Sequence, residues 1–329
     1  MVTDAHGRGL RDLRVSVTDR CNFRCPYCMP RELFGPEHAF LPRAELLTFE
    51  EITRVVGVFA ALGVTKLRLT GGEPLLRRDL PDLVRRVAAV PGIADVAMTT
   101  NGSLLAGAAA ALRTAGLSRV TVSLDSLEPE VFRRLADSVV PVGQVLAGIE
   151  AASAAGLPVK LNCVLRRGVN EDGLLDLVRF ARDAGHTLRV IEYMDVGTTN
   201  GWDRSEVVPS AEVRARVHAV FALEPLGQAG TADRWRYADG AGEIGFVSSV
   251  TEPFCGTCTR ARLTAVGELF TCLFATSGTD LRSALRSGAS DEELTRLVAG
   301  RWATRDDRYS EVRGAGGTGE RAEMSYLGG

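Results

Sequence analysis

The feature of this sequence that most constrains its fold is a sixfold alternation of short β-rich runs with helical segments. The β-rich runs lie at residues 13–17, 66–70, 95–99, 120–124, 159–164 and 188–193. The segments between them have helical spacing, and the first begins with a capping box formed by Thr48 and Glu51. A strand followed by a helix, six times over, predicts a parallel sheet with right-handed crossovers.

The number of these units predicts an open barrel. A closed barrel of eight β/α units needs about 250 residues, and the six units here occupy only about 210. The expected fold class is therefore α/β, an incomplete parallel (β/α)6 TIM-like barrel with a C-terminal segment covering the open side. We expect the barrel domain at residues 5–230 and the covering segment at 231–329, which includes a glycine-rich linker at 314–319.

Composition excludes several classes of function. The chain is 45% hydrophobic and 24% charged, as in ordinary globular proteins, which excludes a largely disordered chain. Its net charge of −2 provides no global field for nucleic acid or an acidic membrane, so an anionic partner must be held by a local basic cluster. The sequence contains neither a secretory signal nor an apolar run of membrane-spanning length, so we expect a cytoplasmic protein with reduced cysteines.

Six of the seven cysteines form two triplets, Cys21, Cys25 and Cys28 after the first strand, and Cys255, Cys258 and Cys272 near the C-terminus. A structural zinc ion or a four-iron cluster normally has four protein ligands, and each triplet supplies only three. A zinc site completed by a distant ligand remains an alternative. No histidine lies near either triplet in sequence, which favours two iron–sulfur clusters with one iron open to a ligand. Cys163 lies in an apolar strand and is expected to be a small core residue.

The motifs around these cysteines resemble a known family. The spacing Cys-x3-Cys-x2-Cys after the first strand resembles the radical S-adenosylmethionine (SAM) superfamily. Further motifs look like the GTP 3′,8-cyclase family of molybdenum cofactor biosynthesis: Thr70-Gly71-Gly72-Glu73-Pro74, Thr99-Thr100-Asn101-Gly102, Val122-Ser123-Leu124-Asp125, Phe254-Cys255 and the terminal Gly328-Gly329. The likeness covers nearly the whole chain, and its parts occur in the expected order.

The resemblance implies a set of site residues. It implies two 4Fe-4S clusters on the two cysteine triplets, with SAM bound by Tyr27, Gly71, Gly72, Ser123 and Met194. It implies GTP contacts from Arg14, Lys66, Arg68, Thr99, Lys160, Arg189, Arg260 and Arg262, and catalytic roles for Arg260, Arg262, Gly328 and Gly329. Lys66 and Lys160 are the only lysines among 39 basic residues, so we expect these positions to require a compact ammonium group.

The resemblance also implies a reaction and its partners. A 5′-deoxyadenosyl radical removes hydrogen from the ribose 3′ carbon of GTP, the substrate radical adds to guanine carbon 8, and a further reduction gives 3′,8-cyclo-7,8-dihydro-GTP. The implied partners are an electron donor and a downstream cyclic pyranopterin monophosphate synthase, with no nucleic acid or membrane, and the chain is expected to be a monomer or homodimer. Two alternatives remain, a peptide-modifying radical enzyme and a zinc-binding nucleic-acid module.

Overall fold

A twelve-stranded sheet organises residues 2–313 and 321–328, which are the residues described by the computed structural model. The strands are β1 (Asp12–Ser16), β2 (Lys66–Thr70), β3 (Asp95–Thr100), β4 (Arg119–Ser123), β5 (Val159–Leu165), β6 (Thr187–Glu192), β7 (Leu223–Ala229), β8 (Ala232–Tyr237), β9 (Glu243–Val247), β10 (Arg260–Leu263), β11 (Glu268–Phe270) and β12 (Thr279–Asp280). Their order across the sheet is β12-β11-β10-β1-β2-β3-β4-β5-β6-β9-β8-β7.

The six strands expected from the sequence are β1 to β6, which pair in parallel and in chain order. The helices are α1 (Phe49–Ala61), α2 (Leu80–Ala88), α3 (Leu105–Thr114), α4 (Pro129–Ala136), α5 (Val142–Ala154), α6 (Leu174–Asp183), α7 (Ser210–His218), α8 (Arg282–Arg286), α9 (Asp291–Ala303) and α10 (Met324–Leu327). The capping box of α1 is confirmed, because the Glu51 amide donates to Thr48 Oγ1 and the Thr48 amide donates to the Glu51 carboxylate. Among the described residues, no helix is long and apolar enough to cross a membrane.

The two faces of the parallel strands differ in chemistry. In β1 and β2 the side chains of Leu13, Val15, Leu67 and Leu69 are at most 1% exposed and belong to the apolar core. Burial of such side chains stabilises the fold by about 1.5–3 kcal/mol each. The side chain of Arg14 alternates with these residues and therefore lies on the opposite face.

The sheet is strongly curved around this polar face. In a flat sheet, β1 and β6 would lie about 24 Å apart, because neighbouring strands are spaced by about 4.8 Å. Yet the charge of Arg189 on β6 helps to lower the pKa of Arg14 on β1, and both side chains line the same cavity. Curvature and strand order therefore agree with an open barrel.

The C-terminal part of the chain extends both edges of the parallel strands. β9 pairs in parallel with β6 and continues into β8 and β7, and β10 pairs in parallel with β1 and continues into β11 and β12. The expected domain boundary between residues 230 and 231 falls in the turn of the β7–β8 hairpin, so the two expected parts share one sheet. The expected linker at 314–319 and the terminal Gly329 lie outside the described residues.

Candidate active site

A cavity of about 280 Å³ opens where the parallel strands end at their carboxyl termini. Its walls include all six cysteines of the two triplets, and also Tyr27, Gly71, Gly72, Ser123, Met194, Arg14, Thr99, Arg189, Arg260 and Arg262. The carboxyl ends of parallel strands are where barrel enzymes assemble their sites. A second cavity of about 370 Å³ lies beside the Cys255 loop and is lined by Asp233, Glu252 and Glu311, with none of the expected site residues.

The first triplet lies on a tight loop after β1. The amides of Cys28 and Met29 both donate to the Cys25 carbonyl, at 2.9 and 2.8 Å, which closes the loop on itself. The sulfur of Cys21 accepts a hydrogen bond from the Phe23 amide at 3.4 Å. Hydrogen bonds to sulfur are one means by which proteins tune iron–sulfur clusters.

These three thiols are close enough to repel one another as thiolates. Burial raises the pKa of Cys21 to about 11 and that of Cys28 to about 12. Burial also raises the pKa of Cys25 well above its ordinary value, and the neighbouring sulfurs of Cys21 and Cys28 add to this effect. Bound iron would reverse the balance, because a metal cation stabilises the thiolate form of its ligands. The first triplet therefore fits a metal cluster.

Among residues 2–313 and 321–328, no group of three or more His, Cys, Asp or Glu side chains is placed to hold a single metal ion. A cubane cluster sets a different requirement, because each thiolate binds a different iron. Sulfurs that hold such a cluster would surround a volume and would not meet at one point.

The second triplet has a more cationic environment. Burial alone would raise the pKa of Cys258, but the charges of Arg260 and Arg305 outweigh it and lower the pKa to about 7. Burial raises the pKa of Cys272 to about 11, and its sulfur accepts from the Phe274 amide at 3.5 Å. The two triplets thus offer a cluster different electrostatic surroundings.

The Gly71-Gly72 turn is bonded to the loop of the first triplet. The Gly72 amide donates to the Thr18 carbonyl at 2.8 Å, and the Glu73 amide donates to the Arg20 carbonyl at 2.7 Å. A Cβ atom on Gly72 would lie 2.3 Å from the Arg20 carbonyl oxygen, so only glycine permits this approach. The turn therefore has a fixed position beside Cys21.

Tyr27 projects from the first-triplet loop toward β4. Its hydroxyl donates to Asp125 Oδ2 at 2.6 Å, while Asp125 Oδ1 accepts from the Val164 amide at 2.8 Å. Burial raises the pKa of Asp125 to about 6, even though the hydrogen bonds from Tyr27 and Val164 favour its ionised form. The Tyr27 ring is thereby fixed against β4 and β5.

Four arginines form a cationic wall of the cavity: Arg14, Arg189, Arg260 and Arg262. Burial lowers the pKa of Arg14 well below its ordinary value, and the charges of the other three, with that of Arg68, lower it further. Burial, followed by the charge of Arg260, lowers the pKa of Arg262 to about 10. Guanidinium groups remain protonated under these conditions, so the wall is suited to an anion with several negative charges.

Three expected GTP contacts lie outside the cavity walls. Arg68 donates to Thr99 Oγ1 and Thr121 Oγ1, both at 3.0 Å, and so holds β2 to β3 and β4. Lys160 is half-buried, and burial, with the charges of Arg189 and Arg119, lowers its pKa to about 8. Lys66 is exposed at the first residue of β2, far from the carboxyl end of the strand. The structure does not bring Lys66 together with the other expected GTP contacts.

The described end of the C-terminal tail reaches the inner face of the sheet. Gly328 has φ 73° and ψ 73°, a left-handed conformation that favours glycine. A Cβ atom there would lie 2.5 Å from Thr70 Oγ1 and 2.9 Å from Ser16 Cβ. Arg262 Nη1 lies 3.5 Å from the Gly328 carbonyl oxygen. The tail thus brings Gly328 beside the cationic wall.

Glu323 and Tyr326 anchor this tail on opposite sides. Glu323 Oε1 accepts from the amide and hydroxyl of Thr198, at 2.8 and 2.9 Å, and Oε2 accepts from the Thr199 hydroxyl at 2.8 Å. The Tyr326 hydroxyl donates to Glu268 Oε2 at 2.7 Å.

Comparison with known proteins identifies the family. Residues 15–181 match the model of the Radical SAM superfamily, and residues 186–311 match that of Molybdenum Cofactor Synthesis C. A GTP 3′,8-cyclase of Acidothermus cellulolyticus is 56% identical over 98% of this chain and 91% of that protein. Proteins of the same name are 52% identical in Xanthomonas axonopodis pv. citri, over 99% of this chain and 98% of that protein, and 43% identical in Staphylococcus aureus, over 100% of this chain and 99% of that protein. This chain belongs to the GTP 3′,8-cyclase family of radical SAM enzymes.

Solved structures show that the fold extends beyond the GTP 3′,8-cyclase family. Streptococcus suis SuiB bound to S-adenosylmethionine superposes with a TM-score of 0.61 over 93% of this chain and 68% of that protein, at 14% identity. Methylornithine synthase superposes with a TM-score of 0.51 over 64% of this chain and 62% of that protein, at 16% identity. At these identities the likeness concerns the fold.

Several residues beside the expected site of this GTP 3′,8-cyclase family member escaped the sequence reasoning. Asp125 and Glu73 lie within the motifs that resemble the family, but roles were predicted only for their neighbours Gly71, Gly72 and Ser123. Glu73 is fully buried and accepts from Thr100 Oγ1 and the Asn101 amide, both at 2.7 Å. Asn162 lines the cavity, and its buried Oδ1 has no hydrogen-bond partner in the part of the chain that the structure describes. Alternation with Lys160 along β5 was the available signal for Asn162.

Proposed function

We propose that this chain converts GTP to 3′,8-cyclo-7,8-dihydro-GTP, the first step of molybdenum cofactor biosynthesis, using SAM and two 4Fe-4S clusters. The observation that carries the proposal is the placement of two separate cysteine triplets and a wall of four arginines around one cavity. A cluster that cleaves SAM needs one open iron, and three protein thiolates leave one. A second open cluster beside the arginines has room to engage a nucleotide.

The first triplet and its neighbours form the SAM side of the site. Cys21, Cys25 and Cys28 would hold the first cluster, which, when reduced, would supply the electron for the cleavage of SAM to methionine and a 5′-deoxyadenosyl radical. Gly71 and Gly72 expose backbone to the methionine portion of SAM, because neither position carries a side chain. Tyr27, held by Asp125, offers a fixed ring face for the adenine, while Ser123 and Met194 line the nucleoside position.

The second triplet and the arginine wall form the GTP side. Arg14, Arg189, Arg260 and Arg262 repel one another in a partly desolvated cavity, so an incoming triphosphate with about four negative charges relieves that repulsion. Thr99 adds a polar contact, and Cys255, Cys258 and Cys272 would hold the second cluster, whose open iron would be available to the guanine. Arg68 acts from below the cavity through its charge, and Lys160 acts there through a compact ammonium group that a planar guanidinium does not replace.

The tail completes the enclosure. Gly328 lies where a side chain would clash with Thr70 and Ser16, and Arg262 directs the Gly328 carbonyl. Gly328 and Gly329 are the catalytic residues of the tail. Enclosure excludes water from a reactive radical while the bond between the ribose 3′ carbon and guanine carbon 8 forms. Residues 5–230 supply the (β/α)6 barrel, and residues 231–329 supply the second cluster and the tail.

The reaction also requires partners and a reducing compartment. An external donor supplies electrons to the clusters in the cytoplasm, and the product passes to a cyclic pyranopterin monophosphate synthase. The enzyme functions as a monomer or homodimer.

Anaerobic reconstitution tests the proposal. The protein should hold about eight irons and eight sulfides, and incubation with GTP, SAM and dithionite should yield 5′-deoxyadenosine and cyclised nucleotide by mass spectrometry. Cys21→Ala and Cys258→Ala should each retain about four irons and form no product, whereas the matched control Cys163→Ala should retain about eight. Formation of 5′-deoxyadenosine without cyclised GTP would favour a peptide-modifying radical enzyme. Zinc without iron would refute both cluster assignments.

A further inference from the structure

The N-terminal segment folds into a tight turn beside the second triplet. Thr3 and Gly9 form an antiparallel bridge, and Asp4 Oδ1 accepts from the amides of His6 and Arg8, at 3.0 and 2.9 Å. Gly7 adopts φ 75°, which the turn requires. The turn thus fixes the Asp4 carboxylate and directs the Arg8 side chain inward.

Asp4 lies between two buried guanidinium groups. Its Oδ2 accepts from Arg8 Nε at 2.6 Å and from Arg305 Nη1 at 3.1 Å, and the side chains of Asp4, Arg8 and Arg305 are 0%, 3% and 1% exposed. The Arg305 guanidinium lies 4.6 Å from the centre of the Trp302 ring, whose Nε1 donates to the Arg8 carbonyl at 3.0 Å. These contacts make Asp4, Arg8 and Arg305 one rigid ionic triad.

Each arginine of the triad also holds the backbone of a second-triplet cysteine. Arg8 Nη1 donates to the Cys255 carbonyl at 2.8 Å, and Arg305 Nη1 donates to the Cys258 carbonyl at 2.8 Å. The triad is therefore attached to both ends of the Cys255–Thr257 turn.

The third cysteine of the second triplet is reached through Asp307. Arg8 Nη1 also donates to the Asp307 carbonyl at 2.8 Å, and the Asp307 carboxylate accepts from Thr271 Oγ1 at 2.6 Å, next to Cys272. One buried group of charges thus connects the three cysteines, although Asp4 and Cys255 are 251 residues apart in sequence.

Burial of the charged triad costs free energy, and a nearby negative charge would lower that cost. The buried triad holds two guanidiniums and one carboxylate, and therefore one excess positive charge. Asp307 compensates this charge only in part, because its Oδ2 lies 3.4 Å from Arg305 Nε and its side chain is 21% exposed. Apolar residues of similar volume are often more stable than such buried ionic groups. Arg8 Nη2 is buried and has no hydrogen-bond partner among residues 2–313 and 321–328. A cluster with three thiolate ligands carries net negative charge, which becomes larger on reduction. The triad and such a cluster therefore stabilise each other.

We propose that the Asp4, Arg8 and Arg305 triad is a positioning unit for the second cluster, which fixes the Cys255–Cys258 backbone and stabilises the reduced cluster through its excess positive charge. This inference rests on the proposed function, because it assumes a cluster on the second triplet. It makes the first ten residues part of the site, although none of Asp4, Arg8 or Gly7 lines the cavity.

The test uses the full chain with Cys21, Cys25 and Cys28 changed to Ala, so that only the second cluster contributes signals. Iron content and the reduction potential, from titration followed by electron paramagnetic resonance, are measured for this parent and for added Asp4→Asn, Arg305→Met and Arg305→Lys substitutions. Asp4→Asn adds net positive charge and should raise the potential, whereas Arg305→Met should lower it. Arg305→Lys keeps the charge but loses the planar fork, so it should reduce iron content with a smaller change in potential.

The opposite signs separate this role from a merely structural one, because a loss of packing alone would move both potentials in the same direction. The control Arg166→Met disrupts the Arg166–Glu206 ion pair away from the second triplet and should leave the potential unchanged. If Arg305→Met does not fold, Asp4→Asn and Arg305→Lys still decide the question. Unchanged or same-sign potentials, with full iron content, would overturn the triad's role. A parent that binds no iron would instead refute the second cluster and the proposed function.

Discussion

Replacing Gly328 with alanine tests whether the tail occupies its observed position during the reaction. Alanine would be forced into the left-handed conformation seen at φ 73°, which costs about 1–2 kcal/mol. Its Cβ would also lie 2.5 Å from Thr70 Oγ1 and 2.9 Å from Ser16 Cβ, and overlap of this kind costs about 1–3 kcal/mol. Together these effects disfavour tail insertion by about 2–5 kcal/mol, which corresponds to roughly 30-fold to several thousand-fold.

Two measurements follow this equilibrium. The Leu327 amide donates to the Glu323 carbonyl at 3.1 Å, so its hydrogen exchange reports whether the tail is docked. In Gly328→Ala this exchange should accelerate, and cyclised GTP should fall while iron content stays at the wild-type value. Adding Thr70→Ala removes the nearest clash and should restore part of the protection.

A matched control separates backbone strain from the clash. Gly156 has φ 72°, but a Cβ atom there would meet nothing within 4 Å, so Gly156→Ala should lower global stability slightly and leave the tail docked. Wild-type exchange at Leu327 together with wild-type yield of cyclised nucleotide in Gly328→Ala would refute the tail's proposed role.

Three further predictions concern buried ionisable groups. Burial raises the pKa of Glu73 from 4.5 to about 7, so between these pH values the folded protein retains a proton that the unfolded chain has lost. The free energy of unfolding of the wild type should therefore fall by about 3 kcal/mol from pH 4.5 to 7, relative to Glu73→Gln, as measured by anaerobic denaturation. Tyr27→Phe removes the hydroxyl bonded to Asp125, and should lower the free energy of unfolding by about 1.5–3 kcal/mol and weaken SAM binding in equilibrium dialysis. Lys160→Arg should weaken GTP binding about tenfold by calorimetry, whereas Lys66→Arg should not change it because Lys66 is exposed away from the cavity. Wild-type affinity should also fall as the pH rises through 8, where Lys160 loses its charge, and the arginine variant should lack this dependence.

Each of these has an outcome that would contradict it. A pH-independent stability difference between wild type and Glu73→Gln would show that Glu73 titrates alike in the folded and unfolded states, so that burial does not raise its pKa. Unchanged SAM affinity in Tyr27→Phe would mean that the hydrogen bond to Asp125 does not position the ring. Equal GTP affinities for both lysine variants and wild type would remove the argument from lysine rarity.

The strands with alternating or continuous apolar patterns were predictable from sequence, and the irregular ones were not. β2 has the predicted bounds because Leu67 and Leu69 must face the core. β7 contains Pro225 and Gly227 at a register shift and has mostly exposed side chains, so its sequence has no strand pattern. Its position comes from pairing with β8, a tertiary effect that local propensity does not contain.

The same distinction applies to the site. The cysteines were identifiable because their spacing is rare, and Gly71-Gly72 because of the motif around it. Arg305 carries no such signal, since 37 of the 39 basic residues are arginines and all but Arg8, Arg262 and Arg305 are at least partly exposed. Its role depends on contacts with Asp4 and with the Cys258 carbonyl, 301 and 47 residues away, which no sequence window can contain.

The pairing of β1 with β10 has a consequence for biosynthesis. Arg14 of β1 pairs with Arg262 of β10, so this edge of β1 stays unpaired until a strand 248 residues later in the chain has been synthesised. At translation rates of about 5–20 residues per second, this interval lasts on the order of 10–50 s, during which one edge of β1 has unpaired amides and carbonyls. A nascent chain is therefore open to wrong pairing until its last quarter emerges, and truncation before residue 260 should yield aggregates instead of a smaller barrel.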